Sequence, residues 1–438
     1  GEDNRKYLNT KATAVYNKST FLYSLNHAKN AGESVLIMCE GNLDVISMYQ
    51  AGFKNALSTV LDAQITTLIA AVVLYEVGTT SVKGFALTLM IGIIISIFTA
   101  VIITQLFISL LAESKKFSKN KYFGVNEDGT PKQFLHKTFS FIRHRKVFYI
   151  ISAGIIIIGF AVTFVRGMNY GIDFTGGTMI QVDLHEQVAI SEVEEAVKEY
   201  DLNPSIIYSG EGNEQVVIKT IEALDTDQRA EVVKTLEENF GITDEDVLAS
   251  EQFGPSVGDE LKLNAVKAVA IASVGMLIYI IFRFKSWKYG LSAIAGVVHD
   301  VLLVIAFYGI FGFTVNNPFI AAILTLVGYS INDTIVIFDR IRENTGLYRK
   351  AGLEANIDNS INSTLNRTIM TSLTLVVMIP LCIMVSSSIR EFIIPLMVGI
   401  IVGCYSSIFV CSPLYYDLCK SGEESKYTKQ IKRKNKKK

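Results

Sequence analysis

Hydrophobic residues in this chain are concentrated in eight stretches that are separated by polar, mostly basic segments. Each stretch is long and nearly free of charge, which is typical of a helix that crosses a bilayer. The pattern therefore predicts an α-helical polytopic membrane protein with about eight spans. Their approximate limits are Ile65–Val77, Phe85–Leu111, Val147–Val165, Ala268–Phe282, Tyr289–Phe311, Pro318–Phe338, Ile369–Val385 and Phe392–Leu414.

The segment between the third and fourth stretches has the pattern of a small α+β domain. Its predicted order is β-α-β-β-α-β, which is the ferredoxin-like arrangement. We expect Thr226 and Asp227 to cap the second helix. Asp173–Gly177, just before the first strand, resembles a phosphate loop but has no following lysine and helix, so we predict a turn. The elements are Thr178–Leu184, Ser191–Tyr200, Ser205–Ser209, Glu214–Thr220, Asp225–Phe240 and Asp246–Phe253.

Charge is distributed asymmetrically and predicts the topology. Between Gly167 and Glu260 there are 22 acidic and 4 basic residues, whereas Lys and Arg crowd the other loops. Cytoplasmic loops are rich in Lys and Arg. The acidic domain is therefore predicted to lie on the outer side of the cell membrane and both termini on the cytoplasmic side. The basic tail Lys429–Lys438 favours contact with anionic lipid, and nucleic acid is the alternative partner.

Two parts of the membrane region repeat one template. Two helix pairs built on one template predict a transporter-like fold with pseudo-symmetric halves and a site at their interface. The matching segments are Leu61–Thr67 with Leu365–Thr371, Lys83–Phe85 with Arg390–Phe392, and Met90–Ile94 with Met397–Ile401.

Asp333 is the leading site candidate because it lies inside an apolar run that is long enough to span a bilayer. An ionisable group at that depth predicts an ion or proton path, and the alternative is a structural polar contact between helices. Asn332 and Thr334 offer hydrogen bonds on the same helix. Arg367 opens the next span and can supply a cation, or it is an ordinary positive-inside anchor.

Three further residues are weaker candidates for the same path. His299 and Asp300 lie about ten residues into a span, where they can relay protons or make a hydrogen bond between helices. Asp62 aligns with Asn366 of the repeat and is predicted to face the same polar interface. No His/Cys spacing typical of a zinc site occurs, so no metal is expected.

Several of these motifs together resemble the SecD/SecF family of protein-export membrane proteins. The run Gly328–Asn344, with Leu365–Ser372, Asp173–Gly177 and Val298–Asp300, is similar to SecF across about 137–419. The segment from Leu61 to Leu111 resembles the last two spans of SecD, the partner of SecF.

The resemblance implies an RND-like membrane bundle that assists the SecYEG channel. In this family, proton flow supplies the energy for export of unfolded preprotein, and the aspartate and arginine that match Asp333 and Arg367 are tied to proton passage. It also implies a non-enzymatic protein, no cofactor besides the proton gradient, and a separate intact SecD, YajC and SecA as partners. Alternatives are a proton-coupled RND-type small-molecule exporter or an inactive chimera.

The first 55 residues resemble a different family, bacterial DNA primase, through Lys6–Asn9, Glu40–Asp44 and Gln50–Asn55. Glu40 and Asp44 match a toprim domain, but the Asp-x-Asp pair that this α/β domain needs for its metal site is absent. We therefore expect a truncated, inactive toprim-like fragment that binds no nucleic acid.

These patterns divide the chain into seven segments. The predicted segments are a toprim-like fragment (1–60), SecD-like spans (61–113), a basic linker (114–146), a first SecF-like span (147–166), an exterior ferredoxin-like domain (167–260), a five-span bundle (261–418) and a basic tail (419–438).

Overall fold

The computed structural model describes residues 54–78, 80–103, 106–107, 138–345, 352–385 and 387–420. The chain forms two compact units. The larger unit is Ala63–Ile93 with Phe139–Lys438, and the smaller is Gly1–Asp62 with Ile94–Thr138. Residues 1–53 of the primase-like fragment, with Glu40 and Asp44, lie outside the described residues, so the toprim interpretation stays a prediction. Residues 54–60 belong to a helix that continues past the predicted boundary at residue 60.

Long helices make up most of the described chain. The first two are α1 (Lys54–Val77) and α2 (Thr80–Phe98). Six more form what we call the helix bundle, and its last helix continues through a π-helical turn at Ser407–Cys411. The helices of the bundle are α3 (Arg145–Arg166), α7 (Pro255–Phe284), α8 (Trp287–Phe311), α9 (Asn317–Asn344), α10 (Gly352–Val385) and α11 (Ser387–Ser406).

Five helical segments within the described ranges are long and apolar enough to cross a membrane, and they coincide with five of the predicted spans. The predicted spans 65–77 and 85–111 correspond to shorter apolar helices, Gln64–Val77 and Val82–Phe98. The predicted span 369–385 belongs to α10. The total of eight stays a prediction. The five segments are Ile142–Arg166, Gly258–Phe284, Trp287–Phe311, Asn317–Asn344 and Arg390–Lys420.

The α+β domain has the predicted order of elements. Its four strands form an antiparallel sheet in which the third and first strands lie side by side at the centre and the second and fourth lie at the edges, which is the ferredoxin-like arrangement. Apolar side chains from the two helices and the sheet, including Val182, Val216 and Leu236, form its core. The elements are β1 (Gly177–Asp183), α5 (Ile190–Ala196), β2 (Ser205–Ser209), β3 (Gln215–Thr220), α6 (Thr226–Phe240) and β4 (Val247–Phe253).

The start of α6 differs from the sequence prediction, which assigned the cap to Thr226 and Asp227. Asp225 is the N-cap: its carboxylate accepts a hydrogen bond from the backbone N–H of Gln228, and the Gln228 side chain accepts one from the Asp225 N–H. This reciprocal pair satisfies two backbone donors that the first helical turn leaves free. The cap prediction was therefore wrong by one residue.

A short turn joins α3 to β1, as the sequence predicted for Asp173–Gly177. It contains the four-residue helix α4 (Ile172–Thr175), followed by Gly176 and Gly177 at positive φ. A Cβ at Gly177 would lie 2.2 Å from the Thr220 carbonyl oxygen, so only glycine fits there. The Asp173 carboxylate accepts hydrogen bonds from the backbone N–H (3.2 Å) and side-chain amide (3.1 Å) of Asn317. The turn thus ties the α+β domain to the first residue of α9.

The central helix of the bundle is α9, in which 19 of 28 residues are buried. It follows Gly312, whose φ of 72° ends α8. Asn316 caps α9 by accepting a hydrogen bond from the Phe319 N–H, and Pro318 occupies the first turn, where no N–H partner is required. These local signals set where the helix that carries Asp333 begins.

The two copies of the repeated template form equivalent helix pairs, α1–α2 and α10–α11. Phe85 and Phe392, which match in the repeat, pack edge to face with ring centroids 4.8 Å apart. Equivalent residues that touch each other are expected at a pseudo-twofold axis. The close approach of Gly328 in α9 to Thr67 and Ala70 places the first copy against the central helix.

Candidate functional site

Asp333 lies on α9 with only 8% of its surface exposed. Its neighbours come from the same helix and from α10 and α11: Tyr329 is one turn earlier, and Arg367 and Cys404 face it from the adjoining helices. Arg367 is close enough to interact electrostatically with Asp333, although the two side chains do not form a direct ion pair. The structure therefore brings together the two residues that the sequence singled out first.

The residues beside Asp333 in sequence point elsewhere. Thr334 shares a hydrogen bond of 2.8 Å with Ser407 and contacts the Cys411 sulfur at 3.7 Å. Asn332 is half-buried. Consecutive helical residues are rotated by about 100° from one another, which explains the divergence. The prediction that all three act on one path remains untested, and Thr334 contributes to the contact between α9 and α11.

His299 and Asp300 occupy a second polar cluster, where α8, α9 and α11 meet. The Asp300 carboxylate accepts hydrogen bonds from the Ser330 and Ser406 hydroxyls, the latter at 2.8 Å, and lies 2.9 Å from His299 Nδ1. His299 Nε2 is buried and has no hydrogen-bond partner among the described residues. The hydrogen bond between helices, one of the two sequence interpretations, is present here, and a relay role stays a prediction.

Ser330 connects this second cluster to the first. It lies three residues before Asp333, so the two side chains occupy neighbouring positions on one face of α9. Gly403 allows α11 to lie close to Ser330 of α9, because a Cβ at position 403 would lie 3.1 Å from the Ser330 side chain. Sequence reasoning missed Ser330 and Ser406. The i, i+3 spacing of Ser330 and Asp333 was the available signal, but nothing in the sequence indicated Ser406.

Asp62 belongs to the smaller compact unit and is buried within α1. Its predicted place at the polar interface of the repeat stays a prediction.

Ion pairs lie at the carboxyl-terminal end of α9. Asp339 pairs with Arg342 one turn later at 2.7 Å and with Arg283 of α7 at 3.4 Å. Arg340 pairs with Glu343 at 3.3 Å. Asp339 is therefore paired with two arginines. Asp333, in contrast, has no direct ion pair within the described chain.

A small, partly open cleft lies beside the first turns of α9. Most of its wall is apolar, and Asn264 and Asn317 supply polar groups. Ile320 and Leu324 of α9 line it on one side, nine residues or more before Asp333. The two asparagines therefore lie near the amino-terminal end of α9, which is also the end that contacts the turn before the α+β domain.

Comparison with known proteins identifies the group to which the chain is related. Residues 232–421 match the family described as protein export membrane protein SecD/SecF, C-terminal, and residues 161–188 match the SecD/SecF GG motif. The second match includes the Gly176–Gly177 turn.

Individual relatives agree with these matches. Protein translocase subunit SecDF of Bacillus subtilis is 36% identical over 387 residues, which is 85% of this chain and 52% of the relative. Protein translocase subunit SecF of Sebaldella termitidis is 40% identical over 282 residues, which is 63% of this chain and 90% of the relative.

Solved structures lead to the same group. The crystal structure of SecDF from Thermus thermophilus has a TM-score of 0.68 and 33% identity, and the match covers 86% of this chain and 52% of that one. The chain spans about half the length of the SecDF relatives but most of the SecF relative. Together with its apolar helices, these matches show a membrane protein, and the chain belongs to the SecD/SecF family of protein export membrane proteins.

Proposed function

We propose that this chain is a SecF-like auxiliary subunit of the Sec protein translocase that uses proton flow through its helix bundle to promote preprotein export. The observation that supports this most strongly is Asp333, which is buried in a span-length apolar helix and faces Arg367 of the next helix. Ionisable groups in such a position are costly, and they mark ion and proton pathways in membrane proteins.

The chemistry follows from two opposing influences on the Asp333 carboxyl group. An apolar environment favours the neutral acid, whereas a nearby cation favours the carboxylate. A carboxyl group held between these influences can take up a proton from one side of the membrane and release it to the other. The cleft at the amino-terminal end of α9 is suited to proton entry, because Asn264 and Asn317 can hold water there.

Contacts at the amino-terminal end of α9 can transmit a change in the protonation of Asp333 to the α+β domain. Asn317 is held by Asp173 immediately before β1, and Lys219 of β3 pairs with Glu391 at the start of α11 at 3.2 Å. The helix that carries Asp333, α9, therefore makes polar contacts with the turn before the α+β domain, and the neighbouring helix α11 makes one with the domain itself. In the proposal this domain lies outside the cell membrane and acts on the emerging chain.

Partners and location follow from the same proposal. The chain works with the SecYEG channel, a separate intact SecD, SecA and YajC, on unfolded preprotein, in contact with membrane lipid. Both termini are cytoplasmic, and the proton gradient is the energy source in place of a cofactor.

The test is the Asp333→Asn variant in the full-length chain, with its partners present. It keeps the size of the side chain but cannot exchange a proton, so proton-dependent secretion and proton flow are expected to fall to background while the amount in the membrane is unchanged. The matched control is Asp259→Asn, the same chemical change at a carboxylate whose side chain is 80% exposed. Secretion by Asp333→Asn at the rate of the control would contradict the proposal.

A further inference from the structure

Buried polar side chains recur at every fourth position of α10. They are Asn356, Ser360, Thr364, Thr368 and Ser372, which we call the hydroxyl row. The first four are at most 8% exposed, and Ser360 and Thr368 are fully buried. Positions four apart follow one ridge of an α-helix. The row extends for about 24 Å at 1.5 Å per residue, which is most of the thickness of the bilayer core.

The row connects the level of Asp333 with the carboxyl-terminal end of α9. At that end, Asn344 donates a hydrogen bond of 2.9 Å to the Ser360 hydroxyl. The Asn356 side-chain amide donates to the Ile341 carbonyl oxygen at 3.1 Å. At the other end of the row, Ser372 lies against the Cys404 thiol, which is itself a neighbour of Asp333.

Thr368 differs from Ser360 and Thr364, the two hydroxyls that precede it in the row. Ser360 donates to the Asn356 carbonyl oxygen at 2.7 Å and Thr364 donates to the Ser360 carbonyl oxygen at 3.0 Å. Such bonds to the preceding turn are the usual way in which a helix satisfies a buried hydroxyl. Thr368 Oγ1 is buried but has no hydrogen-bond partner in the described part of the chain, and the same holds for Ser372 Oγ at the far end of the row. Thr368 lies one helical turn before Ser372, which is next to the Cys404 thiol beside Asp333.

We propose that Thr368 and the hydroxyl row form the release leg of the proton path, from Asp333 to the carboxyl-terminal end of α9. This inference rests on the proposed function, because its proton comes from Asp333. Ser360 donates directly to the Asn356 side-chain oxygen at 3.3 Å. The hydroxyls of Ser360, Thr364 and Thr368 make no direct hydrogen bonds to one another, so in the proposal a water bridges each of those gaps and Thr368 Oγ1 binds the first one.

Each transfer conserves protons. The neutral Asp333 carboxyl group gives its proton to the water bound at Thr368, and an O–H bond of the acid breaks as one forms on the water. That water passes a different proton along the row, and rotation of the hydroxyls restores the starting arrangement. The result is one proton moved toward Asn344 and a carboxylate left facing Arg367.

The experiment measures proton transfer by the full-length chain and its partners in sealed vesicles that contain a pH-sensitive dye. Thr368→Val keeps the side-chain shape but removes the hydroxyl, and we expect it to slow proton transfer about tenfold or more. Thr368→Ser restores the hydroxyl and is expected to conduct like the wild type. The matched control is Thr325→Val on α9, where the lost hydroxyl was bonded to its own helix at the Ala321 carbonyl oxygen.

The outcomes separate the inference from the proposed function. If Asp333→Asn stops proton transfer but Thr368→Val conducts like Thr325→Val, the release path is wrong and the proposed function stands. If Thr368→Val and Thr368→Ser are equally slow, the residue acts through packing and the inference is overturned. If Asp333→Asn conducts like the wild type, both the proposed function and the release path are wrong. Should Thr368→Val not reach the membrane, Thr364→Val removes the next hydroxyl of the row and is expected to give the same slow transfer.

Discussion

The two copies of the repeated helix pair, α1–α2 and α10–α11, share a sequence template but differ in their surroundings. In α11, a Cβ on Gly399 would lie 2.5 Å from Leu326 of α9, whereas its counterpart in α2, Gly92, has no described atom within 4 Å. Leu87 and Ile91, which precede Gly92 in α2, are about half exposed. The template therefore specifies a helix pair, and the burial of that pair depends on which helices pack against it.

The copies also differ in the residues that carry charge. Arg367 of the second copy corresponds to Ala63 of the first, and Glu391 corresponds to Gly84. The cation near Asp333 and the carboxylate that pairs with Lys219 are thus both features of the second copy alone. In the proposed function, the proton path and the contact with the α+β domain would therefore both depend on the second copy.

Replacing the charge that distinguishes the copies should have the largest effect. Arg367→Ala gives the second copy the residue of the first and leaves Asp333 without its cation, so the carboxyl group stays neutral. Proton-dependent secretion is expected to fall by about tenfold or more. The control is Arg390→Ala, which removes an exposed arginine from the same helix pair. Equal secretion by both variants would show that the charge difference is not functional.

The difference in packing predicts opposite effects of one substitution. Gly399→Ala forces Leu326 to move and should destabilise the chain by about 1–3 kcal/mol. Gly92→Ala meets open space and replaces a helical glycine, so it should be neutral or stabilise by about 0.5–1 kcal/mol. Thermal unfolding in detergent measures both. A lower melting temperature for Gly92→Ala would mean that α2 is covered in the assembled protein.

The contact between equivalent residues across the repeat should have a moderate effect. A double-mutant cycle with Phe85→Leu and Phe392→Leu is expected to show a coupling of about 0.5–1.5 kcal/mol, the range for an edge-to-face pair. The readout is the free energy of unfolding of the four proteins. Strictly additive losses would show that the two copies do not meet at these rings in solution.

The ion pair found in the second copy should have the smallest effect. Lys219 and Glu391 are partly exposed, so a cycle with Lys219→Met and Glu391→Gln is expected to give a coupling of about 0.2–1 kcal/mol that weakens at high salt. Coupling that is independent of salt would indicate a contact other than a screened ion pair.

Much of this arrangement could be predicted from the sequence, because it is encoded locally. Hydrophobic runs located the five span-length segments, alternation located the strands of the α+β domain, and Asp333 stood out as a charge in an apolar helix. The proximity of Asp333 and Arg367 followed from motifs of the family and from their positions on successive spans.

The remainder depends on how helices rotate and approach, which local patterns do not encode. Asp300 meets Ser406 across 106 positions of chain, and no spacing rule relates them. Thr334 turned toward Ser407 rather than toward Asp333, since adjacent helical residues face different neighbours. The cap of α6 was misplaced because Asp225 and Asp227 are both good capping residues and only the geometry of Gln228 selects the first.

The bond between Asp173 and Asn317 makes α9 a lever with one end attached to the α+β domain. Sixteen residues separate Asn317 from Asp333, which is about 24 Å of rigid helix. A tilt of about 10° around the level of Asp333 would therefore displace the attached end by about 4 Å. In the proposed function, a change in charge at the Asp333 carboxyl group, too small to move a domain directly, would be amplified to about the width of a side chain where α9 meets the turn before the α+β domain.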